Sequence, residues 1–244
     1  MNKIILFICI LFCKPCYSQN FTEAGPQIYQ FFDADKKPIQ IGKDPGYIDG
    51  SPSFQDQWAY GILMLENGKV FSDSAINYSL YSGSIYIKKD GNIYPIDYPV
   101  KEFILESSNN TGEKKIYHFE KDFPPIHQND SSTFYEILFN GALIKFLKKE
   151  NKLVRASHPY NEPEEREYST VTNFFIFLPK ENSIAELGRK VTLKGLKKIL
   201  PQYSYLIDSY SSFHKLDLKN IKDLEQLFSF LDSSKIEYAS SVSH

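Results

Sequence analysis

Three short turn signals, Asn67-Gly68, Asp90-Gly91 and Asn140-Gly141, divide the first part of this chain into apolar and alternating runs. Asn-Gly and Asp-Gly favour the positive backbone angles of tight turns, so they tie the flanking runs into antiparallel pairs. Trp58 to Leu65 reads as a buried strand, and Val70 and Phe71 begin its return after a type I′ turn. Ala75 to Tyr81, Ser84 to Lys89, and Ile93 with Tyr94 follow. Val100 to Glu106 and Lys115 to Phe119 pair across the looser loop Ser107 to Gly112. Phe134 to Phe139 and Ala142 to Leu147 flank the third signal, and Tyr168 to Thr172 and Phe174 to Leu178 close the series. Strands at this spacing predict an antiparallel β-rich roll, sandwich or partly open barrel.

Past Pro179 the apolar period lengthens. Thr192 is placed to cap a helix over Leu193 to Leu200, ended by Pro201, with Gly195 inside it. Tyr203 to Tyr210 makes a second short helix. Ile221, Leu224, Leu227, Phe228 and Leu231 recur at three and four residues and mark the strongest one. A stripe this wide must bury against something, most simply the sheet. The expected class is therefore α+β. Residues 1–18 form a leader, 19–180 a β-rich body, 181–237 a helical part packed on it, and 238–244 a frayed tail.

The leader is read from Lys3, the apolar run Ile4 to Cys13, and the small residues Cys16 and Ser18 before a cut. That is a secretory signal layout, too short for a hydrocarbon core of about 30 Å. Phe12 before Cys13 and Pro15 before Cys16 do not suit lipidation. The expected location is the periplasm, cell surface or extracellular space, with no transmembrane segment after leader removal. All three cysteines lie within the leader, so the exported part has no disulfide, thiol nucleophile or Cys-ligated metal. Without Lys3 and Lys14, 26 basic residues face 30 acidic ones, a net charge of −4. No basic face results, which argues against a nucleic-acid partner.

Tyr47 to Gly50 is followed by Ser51-Pro52, Trp58, Gly61 and "INYSLYSGSIYIKKDG", then "FYEILFNGALIKFLKK", "NFFIFLP" and a lysine-rich helical end. In this order the chain resembles a family of uncharacterised exported, signal-peptide-bearing proteins common in Bacteroidota. The family commonly carries Arg-Tyr-Asn where this chain has Asn77-Tyr78-Ser79, and an acidic residue near Tyr86. The resemblance implies export and this architecture; it brings no established activity.

Catalytic motifs are missing: there is no Gly-x-Ser-x-Gly elbow, zinc-protease helix or phosphate-binding glycine loop. His118, Asp122 and His127 come nearest to a metal set. Their spacing matches no recognised ligand pattern, and beside Pro124-Pro125 they read as loop residues. No cofactor is expected. His158 and His214 are lone histidines. Glu162, Glu164, Glu165 and Glu167 form an acidic patch that reads as a solvated loop, and Asp44, Asp49 and Asp56 read as turn chemistry.

Aromatic residues make up 15% of the chain. Alternation across residues 75–97 sends Tyr78 to the core and leaves Tyr81 and Tyr86 on polar faces as weak candidates for ligand contact. Cross-strand pairing of aromatics accounts for the rest. The expected function is non-catalytic binding or assembly in the envelope, with a protein or glycan partner. Its rival is a secreted carbohydrate hydrolase using paired carboxylates.

Overall fold

The structure, a computed structural model, describes residues 48–108, 113–157 and 165–234. The leader, Asp44, His158, Glu162, Glu164 and the tail lie outside the described residues. Ten strands form one antiparallel sheet: β1 Ala59–Leu65, β2 Val70–Tyr78, β3 Ile85–Lys89, β4 Asn92–Pro95, β5 Val100–Ser108, β6 Lys114–Glu120, β7 Tyr135–Asn140, β8 Lys145–Ser157, β9 Glu165–Leu178 and β10 Ser183–Gly188. Their order is β10-β9-β8-β7-β6-β5-β1-β2-β3-β4. The sheet does not close into a barrel, and C-terminal helices pack on it. These are α1 Leu193–Ile199, α2 Ser204–His214 and α3 Ile221–Ser233, with a 3₁₀ turn at Pro201–Tyr203.

The three turn signals work in three different ways. Asp90 and Gly91 both have positive φ, 49° and 80°, as a type I′ turn requires. At the first signal only Gly68 is left-handed, and its N–H reaches Leu65 O at 2.9 Å. That is a three-residue loop with a glycine bulge, not the expected type I′ turn. The third joins β7 to β8 without a left-handed glycine; its residues are held instead by a helix side chain, Asp232 of α3.

Between β6 and β7 the sheet narrows to two paired positions, Phe119 with Glu136 and Glu120 with Tyr135. This neck separates a six-stranded wing, β6 to β4, from a four-stranded wing, β7 to β10. On the inner face of the first wing Leu63, Ile76, Tyr78, Phe103 and Phe119 make one core, closed by Phe54 and Phe134. Phe103 and Phe119 stack at 4.6 Å, with Phe134 edge-on to Phe103. Burial holds the Tyr78 phenol well above its usual range. The same face of the second wing carries Ile144, Phe146 and Ile176 against Leu196, Ile207, Leu227, Phe228 and Leu231 of the helices. Phe146 and Phe228 rings meet at 4.7 Å. On the opposite face of the second wing Phe123 and Ile126, from the β6–β7 loop, cover Tyr135, Leu147 and Phe175.

The long β8–β9 hairpin turns the sheet into a roll. Its pairing runs unbroken from Lys145 with Phe177 to Ser157 with Glu165. The distal half passes over the first core, where Lys152 N donates to Leu80 O at 3.2 Å and Lys152 Nζ to Ser51 O at 2.5 Å. Asp49 pairs in parallel with Glu167 along the β9 edge that β10 leaves open. Helix capping follows the sequence: Thr192 Oγ1 accepts from Gly195 N and Asn220 Oδ1 from Lys222 N, each at 3.0 Å.

Gly61 lies in the middle of β1, at a register shift against β2. A Cβ there would stand 2.6 Å from Ile104 O and 2.7 Å from Ile76 Cδ1. The carbonyl belongs to a paired strand and cannot step aside. Gly61→Ala should therefore destabilise the protein by about 1–3 kcal/mol in urea denaturation. An unchanged midpoint would show that β1 can shift freely.

Candidate functional site

The outer face of the first wing is the surface whose exposure is out of proportion to its chemistry. Along β1, Ala59, Gly61, Leu63 and Leu65 point inward, while Tyr60, Ile62 and Met64 point out. Register sets Ile62 against Ile104, Met64 against Val70, and Tyr60 against Glu106, which in turn faces Ile116. Tyr60 is 69% exposed, Ile116 67%, and Ile62 and Val70 40% each. Trp58 to Leu65 is thus buried on one face only. The alternation of glycine and alanine with larger residues in "AYGILML" is the signal that marks the exposed side.

Beside this apolar strip lies an ionic cluster on the same face. His118, opposite Ile104, brings Nε2 to 3.1 Å from Glu102 Oε2 and 3.6 Å from Glu120 Oε1. Lys145 Nζ takes the other Glu120 oxygen at 2.8 Å. Glu106 pairs with Lys114 at 2.5 Å farther along. Among the described residues, Glu102, His118 and Glu120 are the one group whose ligand atoms lie within 4.8 Å of each other.

The residues singled out from sequence are spread over the molecule. His118 belongs to that cluster. Asp122 opens the β6–β7 loop with a φ of 69° and its N–H on Ser131 O. His127, at the tip of the same loop, pairs instead with Glu186 of β10 at 2.9 Å. Tyr81, just past β2, is exposed and sets its ring edge-on to Tyr168 at 5.5 Å. Tyr86 is half-buried opposite Asn77 and Pro95. The two tyrosines therefore have different neighbours. Glu165 and Glu167 are exposed at the start of β9.

Two other features bear on chemistry. Between the wings Lys148 Nζ lies 2.6 Å from Glu136 Oε2 and 3.3 Å from Glu150 Oε2, and Thr172 Oγ1 donates to Glu150 at 3.1 Å. Burial pushes the Glu136 carboxyl up despite Lys148, whereas Glu136 and Glu150 together outweigh burial at Lys148 and raise its ammonium. A hollow of about 410 Å³ between β10 and α1 is lined by Ala185, Leu187, Gly195, Lys198 and Ile199.

No family model, curated protein or solved structure matches the chain.

Proposed function

We propose that the chain is an exported, non-catalytic binding protein that docks a partner protein on the outer face of the first wing. The observation that carries this reading is the row of Tyr60, Ile62, Met64, Val70, Ile104 and Ile116 on one outward face, where register sets Ile62 against Ile104 and Met64 against Val70, and Glu106 stands between Tyr60 and Ile116. Contiguous exposed apolar surface of this kind is costly in water unless something covers it. Four of its six members are aliphatic, which suits protein side chains better than the faces of sugar rings. Glu102, Glu106 and Glu120 beside it favour a partner with lysine or arginine at its rim. The leader-like start of the sequence and the family resemblance support export.

The rival hydrolase needs two carboxylates converging across a cleft. Two close carboxylate pairs among the described residues are each bridged by a side-chain nitrogen rather than facing a cleft: Glu102 and Glu120 flank His118 Nε2, and Glu136 and Glu150 flank Lys148 Nζ. This arrangement favours binding.

Ile62→Asp and Ile116→Glu put charge on exposed positions. Each should leave thermal stability within about 0.5 kcal/mol of the parent. Each should also abolish capture of a partner that the parent pulls from its native envelope. Capture that survives both substitutions would overturn this docking face, and turnover of any glycan by the parent would overturn the non-catalytic reading.

A further inference from the structure

We infer that Glu102, His118 and Glu120 form a binding site for a divalent transition-metal cation of the zinc class, an inference that refines the docking face but does not need a partner. The three side chains rise from two paired strands. Glu102 stands opposite Glu120 in the β5–β6 register, and His118 lies two residues before Glu120 on the same face. The donor separations are 3.1 Å and 3.6 Å from the imidazole nitrogen to the two carboxylates. Around a cation with bonds of about 2.1 Å, adjacent donors stand about 3.0 Å apart in an octahedron and about 3.4 Å in a tetrahedron. The two imidazole–carboxylate edges already match those of a coordination shell, and with all three donors within 4.8 Å of one another a cation requires side-chain adjustments but no movement of strands.

Donor chemistry selects the ion. One imidazole and two carboxylates suit Zn²⁺ or Mn²⁺, whereas Ca²⁺ and Mg²⁺ prefer shells made wholly of oxygen. Electrostatics agree. The two carboxylates face the Lys145 ammonium, which holds only Glu120 Oε2. Glu120 Oε1 remains directed at His118. The side chains are half-buried, so the net negative charge is poorly screened and a dication is the natural complement. Three protein ligands leave at least one position for water or for a donor from a docked partner.

Metal titration distinguishes this site from a cluster held together by hydrogen bonds and ion pairs alone. Untagged protein, stripped with a chelator and checked by circular dichroism, is titrated with Zn²⁺ alone in a calorimeter. One equivalent should bind per chain. His118→Gln and Glu120→Gln should each weaken binding by at least about tenfold. Lys145→Met should tighten it, because a competing cation leaves Glu120. His127→Gln, whose imidazole is engaged by Glu186, should change nothing. Failure of the folded parent to bind, or binding that survives His118→Gln, would overturn the site. Because only metal is added, that result leaves the docking face standing, and failed partner capture leaves the metal site standing.

Discussion

Lys148→Met should cost the fold about 3–5 kcal/mol, because it leaves Glu136 and Glu150 facing each other with their cation removed. Glu136 keeps 7% of its side chain exposed and Glu150 20%, so neither can recover full hydration in place. Lys148 also lies 5.8 Å over the Phe54 ring, so the methionine keeps the packing of the stem while losing the charge. The loss should depend on pH in a fixed direction. Burial already holds the Glu136 carboxyl above the ordinary range, and removing Lys148 raises it further. A group with a raised folded pKa contributes its stability fully below the unfolded value, about 4.3 for glutamate, and loses it as pH rises through the folded value. The variant should therefore lie much closer to its parent near pH 4 than at pH 7 (about 4.3 being the dividing value). Urea denaturation at the two pH values checks this. A gap below about 1 kcal/mol, or one that does not change with pH, would mean that water reaches the triad.

The second large effect lies where the helices join the sheet. Asp232, in the last turn of α3, accepts from Ala142 N at 3.0 Å, Leu143 N at 2.6 Å and Ile144 N at 2.9 Å. One carboxylate thus satisfies three consecutive N–H groups of the β7–β8 connection. Asp232→Ala leaves those donors without their charged acceptor and should destabilise the protein by about 2–4 kcal/mol. Asp232→Asn keeps the shape, yet its amide turns a donor toward a donor, and it should recover only part of the loss. Gly141→Ala tests the same joint from the other side, since a Cβ would strike the Asp232 carboxylate and stand 2.7 Å from Ile144 O. Hydrogen exchange at the Leu143 and Ile144 amides is the direct readout. Protection there that survives Asp232→Ala would refute the anchoring role.

Much of this fold was legible because its devices are local. The strand at Ile85–Lys89, the type I′ turn at Asp90-Gly91 and the helix over Ile221–Ser233 each follow from alternation, turn chemistry or 3.6-residue period within a few residues. What sequence did not show depends on distant partners. The second half of β8 reads as a polar stretch, "ENKLVRAS", and becomes a strand because β9 pairs with it and Lys152 reaches Leu80. β10, "SIAELG", is too short and mixed to announce itself. The asparagine-glycine pair at 140–141 looks like its counterpart at 67–68, but an aspartate 91 positions away from Gly141 decides its geometry.

The candidate site was legible in one residue of its three ligands. His118 stands out in the sequence as a histidine, but spacing along the chain points to Asp122 and His127 as its companions. The β5–β6 register supplies them instead, placing Glu102 sixteen residues back and Glu120 two ahead. Spacing within a strand gives one side of a site, and the other side belongs to whichever strand pairs beside it. The exposed strip was hidden for a related reason. "WAYGILML" is apolar throughout, its small Ala59 and Gly61 give a faint mark of the inward face, and the outward neighbours Ile104 and Val70 on the paired strands extend the apolar face beyond β1.

The strand order also sets the pace at which this protein can be made. Eight of the nine junctions in the ten-strand sheet join strands that follow each other in the chain. Such pairs close short loops and can zip up one hairpin after another. The exception is β1 against β5, which must wait until Glu66 to Pro99 has been gathered into β2, β3 and β4 and brought back. Loop closure over that stretch is entropically expensive before any contact rewards it, so among the sheet's described strand pairings this junction is the one expected to form slowly.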